Sequence, residues 1–352
     1  MGYPDFSKIQ RVLVAKLRHH GDVLLTSALF TLLKKRFPHL EIDGYIYKDT
    51  LPMLEGHPAI SDFILYDKCW KKGSKLLRFF NELKVLSRIR KKKYDLVINL
   101  TEGDRGAIAA LISQCSYAVG ADPRGGGMFG KKKCYTHVVK HGPHPRHTVE
   151  TGLDFLRILG VFPENNEKEL FFHVPTEAIN RVKELVGEGE YVLIHPVSRW
   201  MFKALPEETI AEVVRFLHKK GNRAVLTASP DPIEVAMNRN IRALIPEIEV
   251  CDLSGKISLK ELGAAILKSS FLISVVSVPV HLASALKVPM IALFGPTCEK
   301  KWGPWNSPRS QVILNPLTCR PCYQIGCGGS GRSDCLFTLP KEKIFEAIER
   351  LL

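Results

Sequence analysis

Two segments of this sequence contain residues whose types and spacing suit acid–base catalysis or the binding of phosphate. The first is Lys16–Asp22 (KLRHHGD), which separates a short β-branched apolar run from a helical pattern that begins at Val23 and stops at Pro38. Asp22 follows Gly21 in this loop, and a carboxylate placed there can act as a general base toward a hydroxyl group. Aspartate is also a preferred helix N-cap, so a structural role is the alternative.

The second segment contains Ser198, Arg199 and Lys203, which follow one predicted strand and precede a predicted helix. A hydroxyl group and two cations before a helix N-terminus suit a diphosphate. Lys203 is the candidate for stabilising a departing phosphate, since a fixed cation lowers the energy of the charge that develops there. A surface lysine without a function is the alternative. Further along, Gly295–Thr297 (GPT) predicts a tight turn that can approach a ligand.

A third group consists of four cysteines near the C-terminus, spaced C-x2-C-x4-C-x7-C. Four cysteines this close in a cytosolic protein favour a metal over a disulfide. The spacings are irregular for a zinc ribbon, so a structural metal, reduced thiols and a disulfide all remain open. The predicted metal ligands are Cys319, Cys322, Cys327 and Cys335.

The elements that must position these residues alternate between strands and helices along the whole chain. Alternation of this kind is typical of a parallel sheet covered by helices on both faces. A length of 352 residues is too long for one ordinary hydrophobic core, so we expect two such domains. Ligands of these folds bind at the carboxyl ends of the strands. The predicted strands include 11–15, 41–47, 95–100, 191–195, 224–227, 271–276 and 289–294.

The charge of the chain predicts an anionic partner. Fifty Lys and Arg residues against 36 Asp and Glu residues give a formal net charge of +14. The motifs of nucleic-acid-binding proteins are missing and aromatic residues are not interleaved with the basic runs, so nucleic acid is not the expected partner. A basic nucleic-acid-binding protein remains an alternative only because of the charge. No apolar stretch is long enough for a transmembrane helix or signal peptide, which predicts a cytoplasmic protein.

The basic excess is concentrated between residues 67 and 93. Apolar residues in 74–93 recur at helical spacing, with basic residues crowding the opposite face, so we predict an amphipathic basic helix. Such a helix can dock reversibly on an anionic membrane surface, at about 1 kcal/mol for each basic residue near that surface. A charged face that keeps the protein soluble is the alternative.

The segment RVLVAKLRHHGDVLLTSALFTLLKKRFP resembles the opening of the glycosyltransferase family nine heptosyltransferases, especially their heptosyltransferase III branch. The resemblance implies that Asp22 deprotonates the acceptor hydroxyl, with Gly21 and His20 beside the acceptor. NLTEGDRGA at 99–107 resembles the acceptor-side loop of the family, which adds Glu102 and Arg105 to the expected acceptor site. A solvated loop with an internal ion pair is the alternative there.

Two segments of the second half resemble the donor side of the same family. IHPVSRWMFKALP at 194–206 matches the segment in which a Ser or Thr, an Arg and a Lys precede a helix. SVVSVPVHLASALKVPMIALFGPT at 274–297 matches the segment near the adenosine and places Ser277, His281, Gly295, Pro296 and Thr297 there. A histidine in an apolar helix is otherwise more often a core residue.

One position departs from the family: Val276 stands where the family carries an aspartate next to the donor. Valine cannot accept a hydrogen bond, so a catalytically weakened ADP-sugar-binding relative is an alternative.

Together, the resemblance implies two Rossmann-like doubly wound α/β domains facing across a cleft, the GT-B arrangement. Residues 1–170 are expected to bind the acceptor and residues 171–352 the ADP-sugar. The implied reaction is inverting transfer of L-glycero-D-manno-heptose from ADP-heptose onto the inner core of lipopolysaccharide. We expect no catalytic cofactor, because Lys203 and Arg199 can replace a divalent cation. We expect a cytoplasmic enzyme on the cytoplasmic face of the inner membrane.

Overall fold

The computed structural model describes residues 2–140 and 142–352. The chain divides into two units, Met1–His173 and Val174–Leu352, and each is built around one six-stranded sheet. All neighbouring strands within each sheet are parallel. Parallel neighbours need long crossover connections, and the helices between successive strands supply them.

The first unit contains strands β1–β6 in the spatial order β3-β2-β1-β4-β5-β6. Its strands are β1 Arg11–Lys16, β2 Glu41–Tyr47, β3 Asp62–Tyr66, β4 Leu96–Asn99, β5 Tyr117–Ala121 and β6 His137–Val139. Its helices are α1 His20–Leu24, α2 Ser27–Arg36, α3 Lys75–Lys92, α4 Asp104–Ser113 and α5 Thr148–Arg157. Short 3-10 helices, including Lys48–Met53 and Lys68–Lys72, occupy several of the loops.

The second unit contains strands β7–β12 in the spatial order β9-β8-β7-β10-β11-β12. Its strands are β7 Val192–His195, β8 Ala224–Leu226, β9 Cys251–Asp252, β10 Phe271–Val275, β11 Met290–Phe294 and β12 Ser310–Leu314. Its helices are α6 Thr176–Val186, α7 Glu207–Lys219, α8 Pro232–Ala243, α9 Leu259–Lys268, α10 Val278–Leu286, α11 Glu299–Trp302, α12 Asp334–Phe337 and α13 Lys341–Glu349.

Both sheets have the same topology, in which the first strand of the unit lies between its second and fourth. β1 pairs with β2 and β4, and β7 pairs with β8 and β10. The direction in which the chain winds along the sheet reverses at this point. Ligands of doubly wound sheets bind beside such a reversal, outside the carboxyl ends of the strands. The loops after β1, β4, β7 and β10 are therefore the ones to examine in each unit.

The central strands form the core of each unit because helices cover both of their faces. Leu13 in β1, Val97 in β4, Ile194 in β7 and Ile273 in β10 are almost completely buried. Strands buried on both faces are near-continuous apolar runs, which is why the sequence reveals them as short blocks of Val, Ile and Leu.

The helix predicted from Val23 to Pro38 is instead two helices, α1 and α2. The hydroxyl group of Thr26 donates a 2.6 Å hydrogen bond to the carbonyl of Val23 at the break between them. Threonine side chains offer the backbone such alternatives to a continuous helix. The prediction missed the break because the apolar spacing continues across it.

The basic helix predicted at 74–93 is confirmed as α3, Lys75–Lys92. The side chains that α3 buries are Val85 and Ile89, both in its C-terminal half. The apolar side chains of its N-terminal half are exposed, which the sequence pattern did not predict. Among the described residues, no helix, α3 included, combines the length and apolar character needed to cross a membrane.

Candidate functional site

The loops that follow β1 and β4 are bound to each other at the carboxyl edge of the first sheet. The Lys16 ammonium donates to the carbonyl of Leu100 at 3.1 Å, and the amide of Leu17 donates to Oγ1 of Thr101 at 2.8 Å. The Arg18 guanidinium lies 3.5 Å from the Glu102 carboxylate. These contacts bring the Lys16–Asp22 segment and the Glu102 segment, which both resemble the acceptor side of the family, to one place.

Asp22 lies in the first turn of α1, but it is not the N-cap of that helix. His19 holds the N-cap position, so the alternative of an N-cap role for Asp22 is wrong. The Asp22 carboxylate is half-buried and forms no hydrogen bond or ion pair with any described residue. A helix N-terminus stabilises a carboxylate in its first turn, because the helix dipole is positive there. The result is a carboxylate without a described partner that is available to a ligand.

The other predicted acceptor residues differ in how their side chains are used. Gly21 is buried in α1, and His20 makes a 2.9 Å hydrogen bond through Nε2 with the carbonyl of Asp49. The Glu102 side chain is 77% exposed despite its contact with Arg18. The Glu102 side chain is therefore accessible to a ligand, while the His20 ring is bound to the neighbouring 3-10 helix.

Arg105 points back into the first unit. Its guanidinium donates to the Tyr66 hydroxyl at 2.9 Å and the Glu82 carboxylate at 3.1 Å, and it lies 4.3 Å from the centre of the Tyr66 ring. Partial burial raises the pKa of Glu82, but hydrogen bonds from Tyr66, Arg105 and Arg78 outweigh this and hold that pKa below its ordinary value. Arg105 therefore joins α4 to α3. Its predicted role with the acceptor remains a prediction.

In the second unit, the loop after β7 holds a cation with no carboxylate partner among the described residues. Lys203 ends the 3-10 helix Met201–Lys203, and burial lowers the pKa of its ammonium below the ordinary value. Ser198 is buried, and its hydroxyl accepts from the amide of Trp200 at 3.1 Å, which fixes the turn of this loop. Arg199 is exposed, 5.7 Å from the centre of the Trp200 ring. A desolvated ammonium group without a counter-ion favours an anionic ligand.

The predicted donor-binding residues in the loops after β10 and β11 carry no charged side chains except the ionisable His281. Ser277 is the N-cap of α10 and donates to the carbonyl of Val275 at 3.1 Å. Val276 and His281 are both buried, and the His281 ring lies 6.2 Å from the Trp302 ring. The burial of His281 within α10 agrees with the alternative of a core residue and does not test its predicted contact with the donor.

The Gly295–Thr297 turn is buried and tightly packed. A Cβ atom on Gly295 would lie 2.5 Å from Cδ1 of Leu336, so any side chain at this position would displace the buried Leu336. The Thr297 hydroxyl is buried and has no hydrogen-bond partner among the described residues. A buried hydroxyl group without a partner is costly, so it marks a place where a ligand atom would be favourable.

Arg320, which the sequence analysis did not identify, holds this turn. Its buried guanidinium donates to the carbonyl of Gly295 at 2.6 Å and that of Thr297 at 3.2 Å. The amide of Tyr323 donates to the carbonyl of Pro296 at 3.0 Å. The sequence contains no signal for this role, because Arg320 is separated from the turn by more than twenty residues.

The cysteine-rich segment around Arg320 does not support the predicted structural metal. No group of three ligating side chains in residues 2–140 and 142–352 is close enough to hold an ion. Cys335 is buried and Cys327 accepts a hydrogen bond through Sγ from the amide of Asp334 at 3.4 Å, whereas Cys319 is exposed and Cys322 is partly so. The segment instead packs around the Gly295–Thr297 turn, through Arg320, Tyr323 and Leu336.

Two doubly wound parallel sheets, each with polar loops at its carboxyl edge, are the arrangement expected of a two-domain glycosyltransferase. Comparisons with known proteins give the family: the sequence pattern of glycosyltransferase family 9 (heptosyltransferase) matches residues 83–330. The chain is 32% identical over 345 residues to lipopolysaccharide heptosyltransferase 3 of Escherichia coli (strain K12), covering 96% of each chain. The chain therefore belongs to glycosyltransferase family 9, which confirms the family predicted from the sequence.

Solved structures agree with the fold. A glycosyltransferase of family 9 from Veillonella parvula has a TM-score of 0.80 and 23% identity, covering 97% of each chain. The E. coli heptosyltransferase WaaC, solved with ADP-2-deoxy-2-fluoro heptose, has a TM-score of 0.74 and 22% identity, covering 97% of this chain and all of that one. The predicted α/β class with two Rossmann-like domains is confirmed.

Proposed function

We propose that this glycosyltransferase moves L-glycero-D-manno-heptose from ADP-heptose onto the inner core of lipopolysaccharide, with inversion at the anomeric carbon. The observation that carries the proposal is a pair of unsatisfied charges. Asp22 follows β1, Lys203 follows β7, and neither has a partner of opposite charge among the described residues. The relatives named above, a lipopolysaccharide heptosyltransferase and a heptosyltransferase solved with an ADP-sugar analogue, support this choice of substrates.

The proposed role of Asp22 is that of general base. An acceptor hydroxyl is a poor nucleophile at neutral pH, and a positioned carboxylate that takes its proton lowers the barrier. As the bond forms between the acceptor oxygen and the anomeric carbon, the bond from that carbon to the β-phosphate oxygen breaks. The proton goes to Asp22 and the electron pair leaves with ADP. Gly21, His20, Glu102 and Arg105 are proposed to line the acceptor side.

The proposed role of Lys203 is to stabilise the diphosphate as it leaves. An ammonium group that burial has already stripped of part of its water gains more from an anion than a solvated one does. Arg199 is proposed to assist it, and transfer is proposed to need no metal ion. The proposed donor-binding residues are Ser198, Arg199, Ser277, His281, Gly295, Pro296 and Thr297.

The function is tested by incubating the purified protein with ADP-heptose and a panel of truncated lipopolysaccharide cores in excess chelator. Mass spectrometry should show one core gaining the mass of a heptose residue while ADP is released. Transfer to no core in the panel would contradict the proposed substrates. Product that forms only after magnesium is added back would contradict the metal-independent reaction.

A second candidate is a catalytically weakened ADP-sugar-binding relative, and the buried, apolar Val276 is the observation that favours it. The loop after β10 then lacks a hydrogen-bond acceptor for the donor. A Val276→Asp variant separates the two candidates. A large rise in transfer rate favours a weakened enzyme, and an unchanged rate favours a competent enzyme with different donor contacts.

A further inference from the structure

Helix α3 carries two apolar faces, and only one of them packs against the first unit. Val85 and Ile89 form the packed face. Phe80 lies about 140° from Val85 around the axis of a helix with 3.6 residues per turn, so it belongs to a different face. The side chains of this second face, with relative exposures from 44% to 68%, are Leu76, Leu77, Phe79, Phe80 and Leu83.

Five large apolar side chains exposed within eight residues need an explanation. Single exposed apolar residues such as Leu111 are ordinary on protein surfaces. A contiguous apolar patch is different, because it marks a site of contact with another apolar surface. The phenylalanines of this patch contact each other, with the Phe79 and Phe80 ring centres 6.1 Å apart.

The charges around the patch indicate what covers it. Glu82 is the only acidic residue between 68 and 93, and it is bound to Tyr66 and Arg105. Several lysines in and next to the N-terminal half of α3 have no carboxylate partner among the described residues. They are Lys71, Lys72, Lys75 and Lys84. An apolar face bordered by unpaired lysines is typical of helices that lie in the plane of an anionic membrane surface.

A groove on the same exposed side places cations directly beside apolar side chains. This open groove has a volume of about 640 Å³ and is lined by Phe80 and Leu83 together with lysine and arginine side chains. Its cationic residues are Arg11, Lys84, Arg88, Lys91 and Lys92. Arg11, Arg88 and Lys92 are ion-paired with carboxylates of the unit, so Lys84 and Lys91 are the groove cations without a carboxylate partner among the described residues. A lipid phosphate bound by these two lysines would lie beside the apolar side chains that its acyl chain can contact.

Ion pairs and hydrogen bonds fasten α3 to the unit. Arg88 lies 2.7 Å from the Asp62 carboxylate, and Lys92 contacts both Asp43 and Asp62. The hydrogen bonds of Glu82 with Tyr66 and Arg105 hold the N-terminal half. A fixed helix loses less conformational freedom when it binds than a mobile segment does.

The topology orients the patch toward the proposed acceptor site. α3 runs from the carboxyl end of β3 back to the amino end of β4, because parallel strands require such a return. Its N-terminal half therefore lies toward the carboxyl edge of the first sheet. The loops of Asp22 and Glu102 lie at that same edge.

We propose that the exposed face of α3 inserts into an anionic lipid bilayer, with Phe79 and Phe80 among the acyl chains and the unpaired lysines among the headgroups. This inference depends on the proposed function only in one respect, which is the identity of the membrane that the protein binds. Lipid binding itself requires neither ADP-heptose nor an acceptor, so the two proposals fail separately.

The test is sedimentation of the full chain with vesicles, without either substrate. Vesicles of phosphatidylethanolamine and phosphatidylglycerol should bind the protein, and vesicles of phosphatidylcholine alone should bind it much less. A Phe79→Ser/Phe80→Ser variant should lose roughly tenfold or more of its affinity, because two large side chains no longer insert. A Phe162→Ser variant, which removes another exposed phenylalanine of the same unit, should bind like the parent.

The contribution of charge is tested separately. Changing Lys71, Lys72 and Lys75 to Gln should weaken binding to the anionic vesicles by roughly fivefold for each lysine at low salt.

Insertion is tested by fluorescence. In a Phe80→Trp variant, lipid should shift the fluorescence of the new tryptophan to shorter wavelength, and brominated acyl chains should quench it. Unchanged thermal unfolding of each variant shows that the fold is intact.

Three results would overturn the inference. The first is that the parent protein does not bind anionic vesicles. The second is that the Phe79→Ser/Phe80→Ser variant binds them as tightly as the parent. The third is that the parent is a dimer and this variant a monomer, which would assign the exposed face to contact with a second copy. The same variant should transfer heptose to a soluble, lipid-free core fragment at the parent rate. A parent that binds vesicles but transfers to no core contradicts only the proposed function.

Discussion

The two sheets have the same topology, but the loops at their carboxyl edges differ in charge. The first unit has a carboxylate without a described partner there, and the second has an ammonium group without one. In the first unit, charged side chains pair across the loops, as Arg18 does with Glu102, and one carboxylate, Asp22, has no described partner. In the second unit, the loops are mostly neutral and buried, and the desolvated cation Lys203 has no carboxylate partner among the described residues. A shared fold therefore fixes where a ligand binds, while the loops decide which charge it meets.

The comparison teaches which residues to change. A charged group with a partner is already stabilised by the fold, so its removal mainly affects stability or local geometry. A charged group without a partner adds little to stability, so it is the better candidate for binding or catalysis. Changes at unpaired groups should reduce activity with little loss of stability.

The largest effect is expected for Asp22→Asn. An amide cannot accept the proton of the acceptor, so kcat should fall by about 10²- to 10⁴-fold. ADP binding, measured by calorimetry, should be unchanged, because the change lies in the other unit. A Glu102→Gln variant provides the control and should affect mainly the KM of the acceptor. Transfer by the Asn variant at the parent rate would remove Asp22 from the mechanism.

The next effect is expected for Lys203→Met, which keeps an unbranched side chain of similar size but removes its charge. Loss of one group that stabilises developing charge should lower kcat by about 10²- to 10³-fold. The Met variant should unfold at the same or a higher denaturant concentration than the parent, because a desolvated ammonium group is removed. Loss of stability with little loss of kcat would assign Lys203 a structural role.

A smaller effect is expected for Arg320→Gln, which removes the guanidinium that holds the Gly295–Thr297 turn. The KM of ADP-heptose should rise by about tenfold, since each charge-assisted hydrogen bond contributes roughly 1.5–3 kcal/mol to the position of the turn. The KM of the acceptor should not change, which distinguishes this effect from general unfolding. Arg309→Gln, at an exposed position of the same unit, is the matched control. Equal changes in both KM values would contradict a role limited to the donor.

The smallest effect is expected for Thr297→Val, which replaces a buried hydroxyl that has no described partner. If a ligand atom binds this hydroxyl, the affinity for ADP should fall by about three- to tenfold, the range expected for one neutral hydrogen bond. Stability without ligand should be unchanged or higher, because no hydrogen bond is lost. Unchanged ADP affinity would place the hydroxyl outside the donor site.

The sequence predicted part of the site, because the patterns that indicate strands and helices involve residues close together in the chain. The apolar run before Asp22 and the run before Ser198 predicted that both segments follow strands, and parallel sheets place such segments at one edge. The family resemblance then supplied expected roles. The sequence could not show that Arg105 faces Glu82, that Arg320 holds the Gly295–Thr297 turn, or that the helix pattern from Val23 breaks at Thr26.

The amino-acid sequence by itself determined the family, the class of fold and the position of Asp22 at the carboxyl end of β1, because these depend on local apolar periodicity and on motifs a few residues long. Only the tertiary structure decided which charges find partners and which face of α3 remains exposed. Those outcomes depend on side chains brought together from distant parts of the chain, and the free energy of a charge or an apolar surface is set by what surrounds it.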